Sequence, residues 1–354
     1  MDTITHALVG AVTARATAPK VTSDKHVPIK IRVLVGGLAA AFPDIDFVLL
    51  WINPLAFIAD WHRAETHSFV MLPVWAMLLG LLFAWIVKRR HQWQELASIC
   101  GLSIFSHIIT DLITSWGTMI FAPISGYRAS LGLTFIFDPV FTLIILTGLI
   151  IALMRHSRLV ARSGLVMLAA YVGVQAVLKS QATAIGEAYA AKRQWPDAQV
   201  YTLPQPFSPF HWKIIVSEGK RYHASYIDLI AGEDKQQPHK TGTSLLGIRN
   251  YYRPRSQLQW QRYHRADSRG LARLVWQQPE MAPYRRFASM PVLYRIDRTA
   301  SNHCVWFVDL RFIIPTLTSP FRYGMCKRKG ESDWRIYRLQ RFSENTRLRA
   351  YRHN

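Results

Sequence analysis

Residues 68–87 run for twenty positions without a charged side chain, enough for a helix to cross a bilayer. Four other stretches follow the same pattern with interruptions: 33–51, 96–116, 135–154 and, more weakly, 163–181. Residues 4–18 predict a shorter apolar helix of about four turns. Beyond residue 210 the pattern changes. His211–Val216, Tyr222–Ile230, Met290–Ile296, Cys304–Ile313 and Trp334–Leu339 alternate aromatic or β-branched residues with polar ones, as half-buried strands do. Residues 245–288 are rich in Arg, Gln, Trp and Tyr and suit a helical or irregular segment. Pro196, Pro204, Pro206 and Pro209 mark a connection between the two regimes. The expected architecture is an α-helical integral membrane domain with about five to six membrane helices over residues 1–190. A small β-rich α+β extramembrane domain follows over 191–354.

Charge sharpens this division. Of 43 Lys+Arg in the 354-residue chain, 29 follow residue 190, against 12 of the 22 Asp+Glu, so most of the +21 net charge belongs to the second part. The low share of charged residues and the high aromatic content exclude a largely disordered chain. Met1-Asp2-Thr3 has no basic region of the kind that opens a signal peptide, so none is expected here. The basic residues of the second part are scattered among aromatics, with no recognition motif. An apron over anionic lipid headgroups therefore suits them better than nucleic acid, which is not an expected partner.

Basic loop residues set an orientation. Arg15, Lys20, Lys25, Lys30 and Arg32, then Lys88, Arg89 and Arg90, then Arg155, Arg158 and Arg162 mark alternate loops as cytoplasmic. The complementary loops hold only Arg63 and Arg128. The C-terminal domain then falls in the periplasm, where Cys304 and Cys326 can form a disulfide. The same threading puts His6, Asp44, Asp46, His62, His67, His107, Asp111 and Asp138 at one depth near the outer face.

An ionisable group inside a span costs roughly 2.5–3.5 kcal/mol on insertion scales, so a set at one depth points to a site. His107 and Asp111 are spaced i, i+4 and share a helix face. Imidazole and carboxylate together suit zinc first, with manganese or iron next. His6, Asp44, Asp46, His67, His107, Asp111 and Asp138 are the candidate ligands, enough for one ion or two with Asp111 as a bridge. His62, Glu65 and Arg63 are the candidates for catalytic work, and Arg63 and Arg128 for holding an anionic substrate group. Plainer readings exist for several. Asp138 before Pro139 suits a helix cap, and the arginines suit headgroup anchors. His26, His91 and His156 read as solvated loop residues, and Cys100 as a small buried apolar group.

At these residues the chain resembles the YdjM-type membrane-bound metal-dependent hydrolases, described also as LexA-regulated inner-membrane hydrolases. Met1–His6, Phe42-Pro43-Asp44-Ile45-Asp46, His62–Ser68, His107–Asp111 and Phe137-Asp138-Pro139 carry the resemblance over about the first 180 residues. It extends to Ser208–Trp212, which resembles the start of a C-terminal extension in longer members. The resemblance implies a multi-pass bacterial inner-membrane hydrolase using a divalent metal, and leaves its substrate open. The HxxxD element is distantly similar to zinc-dependent phospholipases C, which ranks a phospholipid-like phosphoester or ester first. Two other classes compete: a proton- or metal-coupled transporter, and a structural or regulatory membrane protein with a structural metal. The common depth of the ionisable groups disfavours transport, whose pathway needs polar groups on both sides of the midplane.

Overall fold

The computed structural model describes residues 1–20, 25–232, 251–268, 270–299, 301–339 and 349–350. Residues 245–250 of the segment expected to be helical or irregular lie outside the described residues. The chain divides into two compact units, Met1–Leu178 with Pro206–Pro209, and Lys179–Gln205 with Phe210–Asn354.

The first unit is helical. Its helices are α1 (Thr3–Ala16), α2 (Ile29–Ala41), α3 (Leu72–Ile86), α4 (Trp93–Leu112), α5 (Pro139–Met154) and the start of α6 (Arg158–Lys192). Three helical stretches among the described residues are long and apolar enough to cross a membrane: Ile29–Trp51, Arg90–Leu112 and Arg158–Lys192. A fourth is the pair Pro54–His67 and Leu72–Ile86, bent by 69°. α5 and α1 have 16 and 14 residues. At 1.5 Å per residue, each is shorter than a roughly 30 Å hydrocarbon core. The expectation of five to six spans is met only to this extent. The final helix runs on to Lys192, far past the weak span expected at 163–181.

Small residues let α1 and α2 touch along their backbones. A Cβ on Gly10 would lie 2.3 Å from the Ala40 Cβ, and one on Gly36 would lie 2.5 Å from the Ala14 Cβ. Helix association in an apolar solvent relies on such close packing, because lipid offers no hydrophobic drive between helices. The C-terminal carbonyls of α1 are closed by arginines. Arg32 donates to Ala14 and Thr17, Arg162 to Ala16, and Arg158 to Ala18. Arg32 is also paired with Glu95. Arg15 and Arg32, expected in a loop, thus lie on helices and are buried. A cation at a helix C-terminus meets the partial negative charge of unpaired carbonyls there.

The second unit is two antiparallel sheets. β1 (Gln199–Pro204), β2 (His211–Glu218), β3 (Arg221–Asp228) and β4 (Gln261–His264) follow one another in the first. β5 (Pro291–Arg298), β6 (Asn302–Asp309), β7 (Arg322–Arg328), β8 (Arg335–Arg338) and β9 (Arg349–Ala350) form the second. Two short helices, α7 (Gly270–Trp276) and α8 (Ala282–Phe287), stand between the sheets in sequence. Leu203, Ile215, Tyr222, Ala224, Met290, Val292, Val308 and Leu310 form a shared apolar core. All five expected strands are present in outline. β1 was hidden in the proline-bearing connection, β4 by its exposed Gln261 and Arg262, and β7 by Gly324 and the basic residues at both its ends. Cys304 and Cys326 face each other across β6 and β7 and are joined as a disulfide, while Cys100 is a buried free thiol.

Lys213 is fully buried in β2, where its ammonium donates to the carbonyls of Leu310 (2.8 Å) and Ile313. Burial pulls its pKa from 10.5 down to about 7, against the pull of Asp309. An unfolded lysine stays protonated to about pH 10, so between pH 7 and 10 the unfolded state binds more protons. Stability of this unit should therefore rise across that window, by an amount on the order of a few kcal/mol. The expected result is stronger hydrogen-exchange protection of β2 at pH 9 than at pH 7 in the full chain, after correction for intrinsic exchange. Lys213→Met should flatten this dependence.

Candidate metal centre

The centre gathers at the N-terminus of α1, the C-terminus of α2, the loop before α3 and the last turns of α4. Asp2 caps α1 by accepting from the Thr5 backbone N–H (3.0 Å) and the Thr5 hydroxyl (2.7 Å). This aims the first turn inward. The Met1 amino group contacts Asp111 Oδ1, and the Thr3 hydroxyl donates to Asp44 Oδ2 at 2.6 Å. His6 lies one turn on. Its Nδ1 is 3.0 Å from the Thr110 hydroxyl and its Nε2 3.1 Å from Asp111 Oδ1.

α2 ends where Pro43 removes a backbone donor, and the chain tightens into a 3-10 helix over Phe42–Trp51. That segment buries Asp44 and Asp46 and leaves Ile45, Phe47, Val48 and Trp51 exposed. A π-helical turn, Phe57–Trp61, then delivers His62. Arg63 follows with φ 57°, a left-handed conformation that is rare without a glycine and recurs at functional sites. The conformation lets the Arg63 backbone N–H donate to Asp46 Oδ2 (2.9 Å) while its guanidinium turns to Asp111 Oδ1 (2.8 Å) and the Thr114 hydroxyl (3.0 Å). A short 3-10 turn, Glu65–His67, brings in His67.

On α4, His107 and Asp111 share a buried face as their spacing predicts. His107 Nδ1 lies 2.6 Å from the Ala40 carbonyl, so that nitrogen carries the proton and Nε2 keeps its lone pair. Two groups of ligand atoms are close enough for an ion: His6, Asp44 and His107, and His67, His107 and Asp111. All are buried. His67 Nε2, His107 Nε2 and Asp111 Oδ2 make no hydrogen bond among the described residues. Buried polar atoms without partners are costly, and three at one point fit the demands of a divalent cation.

Seven of the eight candidate residues expected at one depth meet here. Asp46 is one of them but belongs to neither close group. Its carboxylate meets His62 Nδ1 (3.2 and 3.1 Å) and the Arg63 N–H. Asp138 is engaged elsewhere: Oδ1 caps α5 through the N–H groups of Val140 and Phe141, and Oδ2 accepts from the Tyr171 hydroxyl at 2.7 Å. The Gln175 side chain in turn donates to that hydroxyl. Asp138 takes the cap role that its place before Pro139 offered. Glu65 is exposed, and its backbone carbonyl accepts from the Trp75 indole.

Both arginines, expected to hold an anionic group, make contacts within the protein. Arg63 is paired with Asp111, and Arg128 donates to the carbonyls of His62, Gly117 and Ala59, tying the loop together. Sequence reasoning missed the Met1 amino group, Thr3, Thr110 and Thr114. Thr110 and Thr114 had one legible signal, their places in the last turns of the helix that carries HxxxD.

A family model described as YdjM inner membrane protein matches residues 1–182. No curated protein and no solved structure matches the chain.

Proposed function

Because the chain belongs to the YdjM inner membrane protein family, we propose that it is an integral membrane metal-dependent hydrolase acting on a phosphoester or ester. The observation that supports this reading is the set of three buried ligand atoms at His67, His107 and Asp111, which meet one another but make no hydrogen bond among the described residues. The donors are imidazole and carboxylate, which favours zinc over magnesium or calcium, with manganese and iron as alternatives. A bound divalent ion supplies an activated water and charge neutralisation on a scissile ester or phosphoester.

The chain's own residues do the rest. Asp46 orients the His62 imidazole, and rings of Phe47, Phe57 and Trp116 lie 4.7–5.1 Å from it. An imidazole so held is suited to move a proton to or from a reacting group. Arg63 holds Asp111, and the Ala40 carbonyl holds His107. Ile45, Phe47, Val48 and Trp51 turn outward from the segment that carries Asp44 and Asp46, which supports a lipid-like substrate reaching the centre from the bilayer.

The reading extends to topology. α1 and α5 sit within the bilayer beside the longer helices, giving a multi-pass protein of five to six membrane helices. The C-terminal unit lies in the periplasm. The Cys304–Cys326 disulfide supports that side, as do the sparse basic residues of the loops assigned to it.

Detergent-purified chain should carry stoichiometric divalent metal. It should hydrolyse p-nitrophenyl phosphoesters, carboxyl esters or mixed phospholipid micelles. A chelator should abolish the activity and resupplied zinc should restore it. Absence of metal after resupply would overturn the reading and favour a structural or transport role.

A further inference from the structure

Resting on the metal reading above, we propose that the centre holds one ion and not two. Its donors are His67 Nε2, His107 Nε2 and Asp111 Oδ2, with Asp44 Oδ1 standing beside the two imidazoles. His6 and Arg63 are positioning residues that hold Asp111 from behind.

The argument starts at His107, the one residue common to both close groups. Its Nδ1 is spent on the Ala40 carbonyl, so it has a single lone pair and can serve a single ion. Ring orientation decides which group that ion joins. His6 and His107 are stacked, with centroids 3.6 Å apart and planes 22° apart. A nitrogen lone pair lies in its ring plane, so those of stacked rings run side by side and do not converge. His67 and His107 meet at 67°, an angle at which the two Nε2 lone pairs can point to one centre.

Distances agree. Four donors about 2.0–2.1 Å from a tetrahedral ion stand about 3.3–3.4 Å from one another. His67 Nε2 and His107 Nε2 lie 3.3 and 3.4 Å from Asp111 Oδ2. Asp44 Oδ1 lies 3.7 and 3.9 Å from the same two nitrogens, a few tenths outside the ideal edge.

Asp111 has one open oxygen: its Oδ1 is held by the Met1 amino group, His6 and Arg63. That leaves it poorly placed to bridge a second ion, and Asp44 Oδ2 and both oxygens of Asp46 already meet Thr3 and His62. Charge points the same way. Three buried aspartates stand against the Arg63 guanidinium and the Met1 amino group, so one divalent ion already brings the centre to neutrality or slightly beyond. A second ion would leave a large buried excess of positive charge.

The test is metal stoichiometry on the full chain in detergent. Protein stripped with a chelator is titrated with Zn²⁺ and gel-filtered, and metal per chain is measured. A parallel Co²⁺ sample is read for the intense visible absorption of four-coordinate cobalt. One ion per chain with that absorption is expected. His67→Ala and His107→Ala should drop below stoichiometric binding, and His67→Cys, which restores a ligand, should recover it. His6→Gln and Arg63→Gln should keep one ion with affinity lowered roughly 10–100-fold, as for residues that orient ligands. Two ions per chain would overturn the single-ion assignment and leave the metalloenzyme reading standing. No ion in any sample would overturn both. His6→Gln chain that elutes as wild type but binds no ion would overturn the division between ligands and positioning residues.

Discussion

Asp111→Asn is expected to leave the membrane fraction with less than a tenth of the wild-type metal and with no measurable hydrolysis, while the chain still inserts. Asp111 is fully buried and meets Met1, His6 and Arg63 through one oxygen, His67 and His107 through the other. An amide keeps the shape but removes the charge and turns a donor toward one of these partners. Asp111→Ala should be worse. Removing one member of a buried ion pair costs about 3–5 kcal/mol, because the remaining charge has nowhere to go. Arg63 would be that remaining charge, so the alanine chain is expected to accumulate poorly. Metal per chain and membrane yield, measured side by side for the two variants, separate loss of ligation from loss of fold. Wild-type metal in Asp111→Asn would remove Asp111 from the ligand set.

Gly36→Leu is the second substitution with a large expected effect, although it touches no ligand. A Cβ at Gly36 already comes within 2.5 Å of the Ala14 Cβ and 2.8 Å of the Gly10 carbonyl. The obstruction includes backbone, which cannot rotate away, so a leucine forces α1 and α2 apart. Overpacking of this kind costs typically 1–3 kcal/mol and more where backbone must move. The displaced helices carry His6, the Ala40 carbonyl that fixes His107, and the approach to Asp44. Loss of metal together with lower thermal stability in detergent is therefore expected. Gly173→Ala, where nothing lies within 4 Å, should change neither. Equal metal content in Gly36→Leu and wild type would show that the contact between α1 and α2 does not set the ligand geometry.

The legibility of this chain differs between its parts for physical reasons. A membrane span announces itself through length and apolarity, so residues 68–87 and 96–116 locate α3 and α4 closely. The 3-10 segment after Pro43 is as apolar as the helix before it, and composition does not reveal the change of pitch that buries Asp44 and Asp46 together. The candidate residues were readable because charge inside a span is costly and marks a site. Their division of labour was not. Asp46, Asp111 and Asp138 look alike in sequence. One holds His62, one presents an oxygen to the centre, and one caps α5 beneath Tyr171. That distinction depends on which second group reaches each carboxylate, and those partners come from distant segments. The arginines show the same limit. Arg63 and Arg128 read as anion binders by position, but the Arg63 guanidinium meets Asp111 and Thr114, and Arg128 donates to three carbonyls of the loop. In the second unit, alternation located the strands with apolar inner faces, and β1 and β4 escaped because Pro204 and Arg262 blur the period.

The arginines that close α1 also bear on the order in which the chain assembles. The carbonyls of Ala16 and Ala18 wait for Arg162 and Arg158, which lie more than a hundred residues downstream. During synthesis, the first helix must therefore enter the bilayer with part of its terminus still solvated. It can seat fully only after the sixth helix has left the ribosome. The side chains gathered between His6 and Asp111 would then be fixed in place by two arginines that lie outside the centre and are made last.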